Sequence, residues 1–200
     1  MKAIITDLDG VIRYFPPQRN SEFETRYGLP QGTLLHTAFG YPDLNQVITG
    51  KITDHEWRSN ISSRIQEFLP AQDSMKLIRD WSSFPGIINY EILDLYTSYR
   101  DKGTKLALLT NATNKLTEDL STHSISNVFD YIINSSSLGL MKPNPGIFHF
   151  ALKTLGIKPS EAVYIDDSHT HSAAASRIGL KSHLFKDFQN LADFLKQNFS

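Results

Sequence analysis

The chain has 200 residues, 40% of them apolar and 11% aromatic, which suits one packed globule or one with a small insertion. A formal net charge of −1 and the absence of cysteine leave no expectation of a nucleic-acid or membrane partner and exclude disulfides and thiolate metal sites. With no apolar run of membrane-spanning length and no basic-then-apolar leader pattern, the expectation is a soluble, cytoplasmic protein.

Ala3, Ile4 and Ile5 read as a buried strand of the parallel-sheet kind, ending in Asp7-Leu8-Asp9-Gly10-Val11. Two carboxylates one residue apart at the carboxyl end of a buried first strand stand where open α/β sheets bind ligands. Read alone, they are also an ordinary Asp-Gly turn. Pro16 and Pro17 then close off regular structure.

From about Gln18 to about Phe84 the strand-like runs vanish and helical signals replace them. Ser21-Glu22-Phe23-Glu24 reads as a capping box with Gly28 as a stop. A second helix is expected over residues 32–39. Thr53-Asp54-His55-Glu56 is another box, opening a helix that carries Trp57, Ile61, Ile65 and Phe68, with Pro70 beyond it. Asp73 to Trp81, with Met75, Leu77 and Ile78, completes four expected helices.

Beyond Gly86 strand and helix alternate. Asn89 caps a helix to Arg100. Lys105 to Leu109 is a strand ending at Thr110-Asn111, and residues 113–121 are a helix. Tyr131 to Ile133 is a strand, and Pro145 to Leu155 a helix stopped by Gly156. Ala162 to Ile165 is a strand ending in Asp166-Asp167, residues 172–178 a helix, Ser182 to Leu184 a last strand and residues 190–199 a last helix. This pattern predicts a Rossmann-like parallel sheet with helices on both faces. The catalytic core would comprise residues 1–17 and 85–200, and residues 18–84 would form a small inserted helical subdomain.

Parallel strands bring their carboxyl ends to one rim, so Asp7, Asp9, Thr110, Asn111, Asp166 and Asp167 can meet in one cleft. Four carboxylates there repel one another, and a hard divalent cation such as Mg²⁺ is the usual remedy for all-oxygen donors. Thr110 and Asn111 could cradle an anion. Lys142, stiffened by Pro143 and Pro145, could neutralise a phosphate or fix a carboxylate. Any one of these is ordinary; an N-cap or a surface lysine looks the same.

Together, Asp7-Leu8-Asp9-Gly10-Val11, the strand end at Thr110-Asn111, Lys142-Pro143 and Asp166-Asp167 stand in the order of the four motifs of the haloacid dehalogenase (HAD) superfamily. The chain resembles that superfamily throughout, and residues 18–84 resemble its helical cap. Gly50-Lys51-Ile52-Thr53 with Trp57 looks like the cap of the phosphatase domain fused to soluble epoxide hydrolases, and of small bacterial sugar-phosphate phosphatases. The resemblance implies a Mg²⁺-dependent hydrolase of small organic phosphomonoesters. Asp7 would be the nucleophile, forming an aspartyl-phosphate. Asp9 would be the acid/base, with its backbone carbonyl on the metal. Thr110 and Asn111 would hold the phosphoryl group, and Lys142 would steady Asp7 and offset phosphate charge. Asp167 would complete the metal site, with Asp166 behind it. His171 stands where the family often has Asn, with His169 nearby, and Arg13 stands where small or acidic residues are common. A phosphomutase would share this core chemistry, a 2-haloacid dehalogenase would lack a task for Asp9, and a non-catalytic HAD-like binding or regulatory protein would tend to lose a nucleophile or ligand. Arg13, Tyr14, Phe15, His36, Phe39 and Trp57 are candidates for substrate choice, although Phe39 and Trp57 also read as interior residues of the helical insert and His36 as a surface residue.

Overall fold

In a computed structural model, which describes residues 1–199, the elements run β1 (Ala3–Thr6), β2 (Arg13–Tyr14), α1 (Gln18–Tyr27), α2 (Thr33–Phe39), α3 (Asp43–Ile48), α4 (Asp54–Ile65) and α5 (Ala71–Ser82). They continue with β3 (Ile87–Ile88), α6 (Tyr90–Arg100), β4 (Lys105–Thr110), α7 (Leu116–Thr122), β5 (Tyr131–Asn134), α8 (Ser135–Leu138) and α9 (Pro145–Leu155). Last come β6 (Ala162–Asp166), α10 (His169–Arg177), β7 (Lys181–Leu184) and α11 (Phe188–Asn198). Five strands form one parallel sheet in the order β5-β4-β1-β6-β7, which puts β1 at the centre. The register pairs Ala3 with Lys105 on one side and with Ala162 on the other.

Residues of β1 alternate between two cores, as strand geometry requires. Ile4 joins Leu106, Leu108, Val163 and Ile165 under α6, α7 and α11. Ala3 and Ile5 join Ala107, Leu109, Ile133 and Tyr164 under α9 and α10. Both faces are covered, so the strands read as continuous apolar runs. None of the described helices is long and apolar enough to cross a membrane.

The insert holds five helices, not four. The extra one, α3, is six residues between Pro42 and Gly50, too short to show a helical period. The helices enclose their own core, with Phe23, Leu34, Val47, Trp57, Ile61 and Leu77 among its members. Thr53 caps α4 in a full capping box, as expected. The box read at Ser21 does not form, because α1 already begins at Gln18. Its Glu24 is buried instead and accepts the N–H groups of Gly32 (2.9 Å) and Leu34 (2.8 Å), capping the start of α2. Phe68 lies past the end of α4 and Met75 faces solvent on α5, so neither helps fill this core. A two-stranded antiparallel ribbon, β2 with β3, pairs Arg13 with Ile88 and ties the entry and exit of the insert together. Helix α7 starts at Leu116 rather than near Thr113, because the Thr113 hydroxyl takes the Lys115 N–H at 3.2 Å in a turn that precedes the helix.

Candidate active site

The carboxyl ends of β1, β4 and β6 converge around the ammonium of Lys142. It lies 2.7 Å from Asp7 Oδ2 and 2.8 Å from Asp166 Oδ2, and all three side chains are buried. Asn111 sets the lysine's position: its Oδ1 accepts the Lys142 N–H at 2.8 Å and its amide donates to the Lys142 carbonyl at 3.0 Å. The Lys142–Pro143 peptide bond is cis.

Asp7 Oδ1 accepts the Leu8 N–H at 2.8 Å. Burial pushes its carboxyl up to about 6 against the pull of Lys142, with the charge of Asp166 adding to the rise. Asp166 goes the other way. Burial opposes its ionisation, but hydrogen bonds from His171, Lys142 and Tyr164 outweigh that and hold it well below the usual carboxylate range. The Ser168 N–H at 2.7 Å and the His171 ring at 3.2 Å complete its partners. The Tyr164 hydroxyl donates to the same carboxylate, and burial with the nearby charges of Asp166 and Asp7 raises that phenol far above its ordinary value. Tyr164 and Asp166 lie two apart on β6 and so share a face, a relation visible in the sequence but not drawn from it.

Asp167 is exposed as a residue, but its carboxyl, set against the β1 loop, is partly shielded from water, and that loss of water together with the charge of Asp166 raises it. It packs against the β1 loop: Gly10 has φ +82°, and a Cβ there would collide with the Asp167 carboxylate. Asp9 points elsewhere. Arg13 Nε meets its Oδ1 at 2.6 Å and Nη2 its Oδ2 at 3.0 Å, while Nη1 reaches Asp119 at 3.0 Å. Thr110 is buried at the end of β4, and its hydroxyl has no partner among the described residues. His169 makes no hydrogen bond through its ring among these residues, and the His171 ring makes its bonds to Asp166.

The structure thus brings Asp7, Lys142, Asp166 and His171 together, with Thr110 and Asn111 beside them and Asp167 across the Gly10 loop. The ligand atoms of Asp7, Asp166 and His171 lie within 4.8 Å of one another, a grouping that could hold a cation. Sequence reasoning did not anticipate Tyr164, Asp119 or the fork that Arg13 places on Asp9. A cavity of about 410 Å³ opens from Asp9 and Asn111 into the space between the core and the inserted helices.

Residues 12–185 match the sequence pattern of a family described as haloacid dehalogenase-like hydrolase. The chain is 30% identical to bifunctional epoxide hydrolase 2 of Sus scrofa over 94% of its own length, and spans 37% of that protein. It covers only about a third of the epoxide hydrolases it matches. Among solved structures, the HAD family enzyme bt-2542 of Bacteroides thetaiotaomicron, in complex with magnesium and inorganic phosphate, superposes with a TM-score of 0.70 at 21% identity over 96% of this chain and 98% of that one. The L-2-haloacid dehalogenase RSc1362 superposes with a TM-score of 0.73 at 13% identity over 98% and 99%. Likenesses at these identities speak for the fold alone.

Proposed function

The chain belongs to the haloacid dehalogenase-like hydrolase family, and on that premise we propose that it is a Mg²⁺-dependent phosphomonoesterase working through an aspartyl-phosphate on Asp7. The observation that carries this reading is the division of labour between two carboxylates on one turn. Asp7 is buried against Lys142, whereas Asp9 is about half exposed and lines the cavity. A dehalogenase needs the first and has no task for the second. The Mg²⁺-phosphate complex of the bt-2542 enzyme lends support from a shared fold.

In this reading Asp7 Oδ attacks phosphorus, and the bond from phosphorus to the ester oxygen breaks as Asp9 gives that oxygen a proton. Water then attacks the phosphoryl-enzyme, Asp9 takes its proton, and inorganic phosphate leaves. Lys142 holds Asp7 in line and balances phosphoryl charge. In the same reading the Thr110 hydroxyl, which has no partner among the described residues, would bind a phosphoryl oxygen.

The donor set suits a hard cation. Asp166 is filled by four donors, whereas the Asp167 carboxylate lies open beside the Gly10 loop. We therefore assign Asp7, Asp167 and the Asp9 carbonyl to the metal, with Asp166 and His171 behind them. When bound, Mg²⁺ would polarise the phosphoryl group and offset its charge. Residues 18–84 act as the cap in this assignment.

Single-turnover hydrolysis in ¹⁸O-water tests the central claim. Label should enter the Asp7 carboxylate before it reaches phosphate. Label passing straight to phosphate would make water the nucleophile and end the proposal.

A further inference from the structure

The cavity that opens from Asp9 is lined by polar and apolar residues in similar number, yet most of the polar residues are engaged within the protein. Arg13 is divided between Asp9 and Asp119. Arg58 forms an ion pair with Asp54, its Nη2 donating to Oδ1 at 3.3 Å and its Nη1 to the Ser82 carbonyl at 3.3 Å, although its Nε makes no hydrogen bond; Asp54 Oδ1 also accepts the Thr113 hydroxyl at 3.1 Å. Lys115 is 3.6 Å from Glu118. The indole N–H of Trp57 donates to the Ala38 carbonyl at 3.2 Å and that of Trp81 to Asn20 at 2.8 Å. The hydroxyls of Ser83 and Thr122 donate to the carbonyls of Asp80 and Glu118. The Asn111 amide is used in both directions on Lys142. Arg19 has no carboxylate within ion-pair distance among the described residues. It directs Nη2 to the carbonyls of Asp80 and Trp81 and lies over the rings of Phe23 and Phe84.

Apart from Nε and Nη1 of Arg19, which make no hydrogen bond among the described residues, and the loosely paired Lys115 and Glu118, what the cavity leaves free is apolar. Phe15 is 48% exposed, Phe39 48% and Leu35 46%, and all three line it, beside Trp57, Trp81 and Phe84. A sugar or nucleoside entering here would surrender water from its hydroxyls and find few free partners, at the cost that unpaired polar burial carries. An alkyl or aryl group would lose nothing polar and cover exposed rings.

We propose that the leaving group is apolar: the substrate is a monophosphate of an aliphatic or arylalkyl alcohol, chosen by Phe15, Leu35 and Phe39 against sugar and nucleoside monophosphates. This rests on the phosphomonoesterase reading and names the substrate class of the same site. Its physical content is burial of hydrocarbon, which is worth about three- to fourfold in binding for each methylene removed from water.

The test compares primary alkyl phosphates, whose leaving groups are similar in basicity, so that reactivity does not imitate recognition. From propyl to heptyl phosphate, kcat/KM should climb about two- to fourfold per methylene. 3-Phenylpropyl phosphate should exceed glucose 6-phosphate by about 100-fold. Phe39→Asn and, separately, Leu35→Asn should cut that ratio by about tenfold. Both side chains are nearly half exposed, so neither change opens a core. A flat chain-length series, or glucose 6-phosphate or a nucleoside monophosphate equal to the arylalkyl ester, would overturn the inference while leaving a phosphatase in place. If no ester is cleaved, p-nitrophenyl phosphate included, the phosphomonoesterase reading falls. Calorimetry then decides the cavity by itself: 3-phenylpropylphosphonate should bind at least about tenfold tighter than 3,4-dihydroxybutylphosphonate. Equal binding overturns the inference.

Discussion

Arg13 meets Asp9 with two nitrogens of one guanidinium, Nε at 2.6 Å and Nη2 at 3.0 Å, across four residues of a single loop. Both Asp9 oxygens are thereby engaged, and the fork must loosen before either can deliver a proton to a leaving group. Arg13→Met keeps much of the side-chain bulk and removes the fork. The ratio of kcat on an alkyl phosphate to kcat on p-nitrophenyl phosphate should rise about three- to tenfold, a fraction of what a general acid typically supplies. Stability should fall by about 1–3 kcal/mol, because Asp9 and Asp119 lose the cation they share. An unchanged ratio would leave Arg13 a purely structural tie.

Asp9→Asn separates proton transfer from nucleophilic attack. The variant keeps the backbone carbonyl and can neither donate a proton to an alkoxide nor deprotonate water. With p-nitrophenyl phosphate it should release a burst of nitrophenol near one per site and then stall, since nitrophenolate departs unaided. With an alkyl phosphate no burst should form, a difference of about 10²–10⁴ in rate. Equal bursts, or steady turnover on either ester, would remove Asp9 from acid/base duty.

Oxygen donors from Asp7, Asp9 and Asp167 set an expectation for the cation. Activity should vanish with excess chelator and return with Mg²⁺. Ca²⁺ should compete without supporting turnover, because its larger and looser coordination misplaces nucleophile and phosphate. Titration calorimetry should show Mg²⁺ binding lost in Asp167→Ala and retained in Asp9→Asn. Full activity in EDTA would refute the assignment.

Asp7 also leaves a mark on stability. Its carboxyl titrates near 6 in the folded, metal-free protein against an ordinary value of 3.8. Between those two values the folded state holds a proton that the unfolded chain has released, so this group's contribution falls as pH rises. Above about pH 6 the penalty is complete, on the order of 3 kcal/mol. Asp7→Asn has no such proton. Its stability relative to the parent, measured by urea unfolding in chelator, should improve by about 2–3 kcal/mol from pH 4 to pH 7. A difference that does not change with pH would contradict the raised carboxyl.

The parallel sheet and the convergence of three strand ends were legible because buried strands announce themselves as apolar runs and because topology, not detail, gathers their ends. Thr53 and Asn89 were legible as caps because each bonds to a backbone N–H three residues on. Glu24 misled because the sequence shows the box and not the competing donors at Gly32 and Leu34, which reach it only after α1 and α2 pack. The two-residue strands of the β2–β3 ribbon and the six-residue α3 carry too few side chains to show a period. Asp7 with Lys142 could be foreseen as neighbours. The turning of Asp9 toward Arg13 could not, since it depends on where Asp119 of α7 comes to rest.

The central place of β1 has a consequence for how the molecule comes into being. Its first residue pairs with Lys105 and with Ala162, so during synthesis the strand that carries Asp7 waits, unpaired on both edges, for most of the chain to emerge. Lys142 and Asp166 arrive later still than β4. A nascent or truncated chain ending before β6 therefore possesses an aspartate but no site, and leaves open at least the edge of β1 that β6 would cover, the kind of surface that holdase chaperones protect and that aggregates without them. Catalytic competence and the burial of that hazard are completed by the same late event, the docking of β6 against β1.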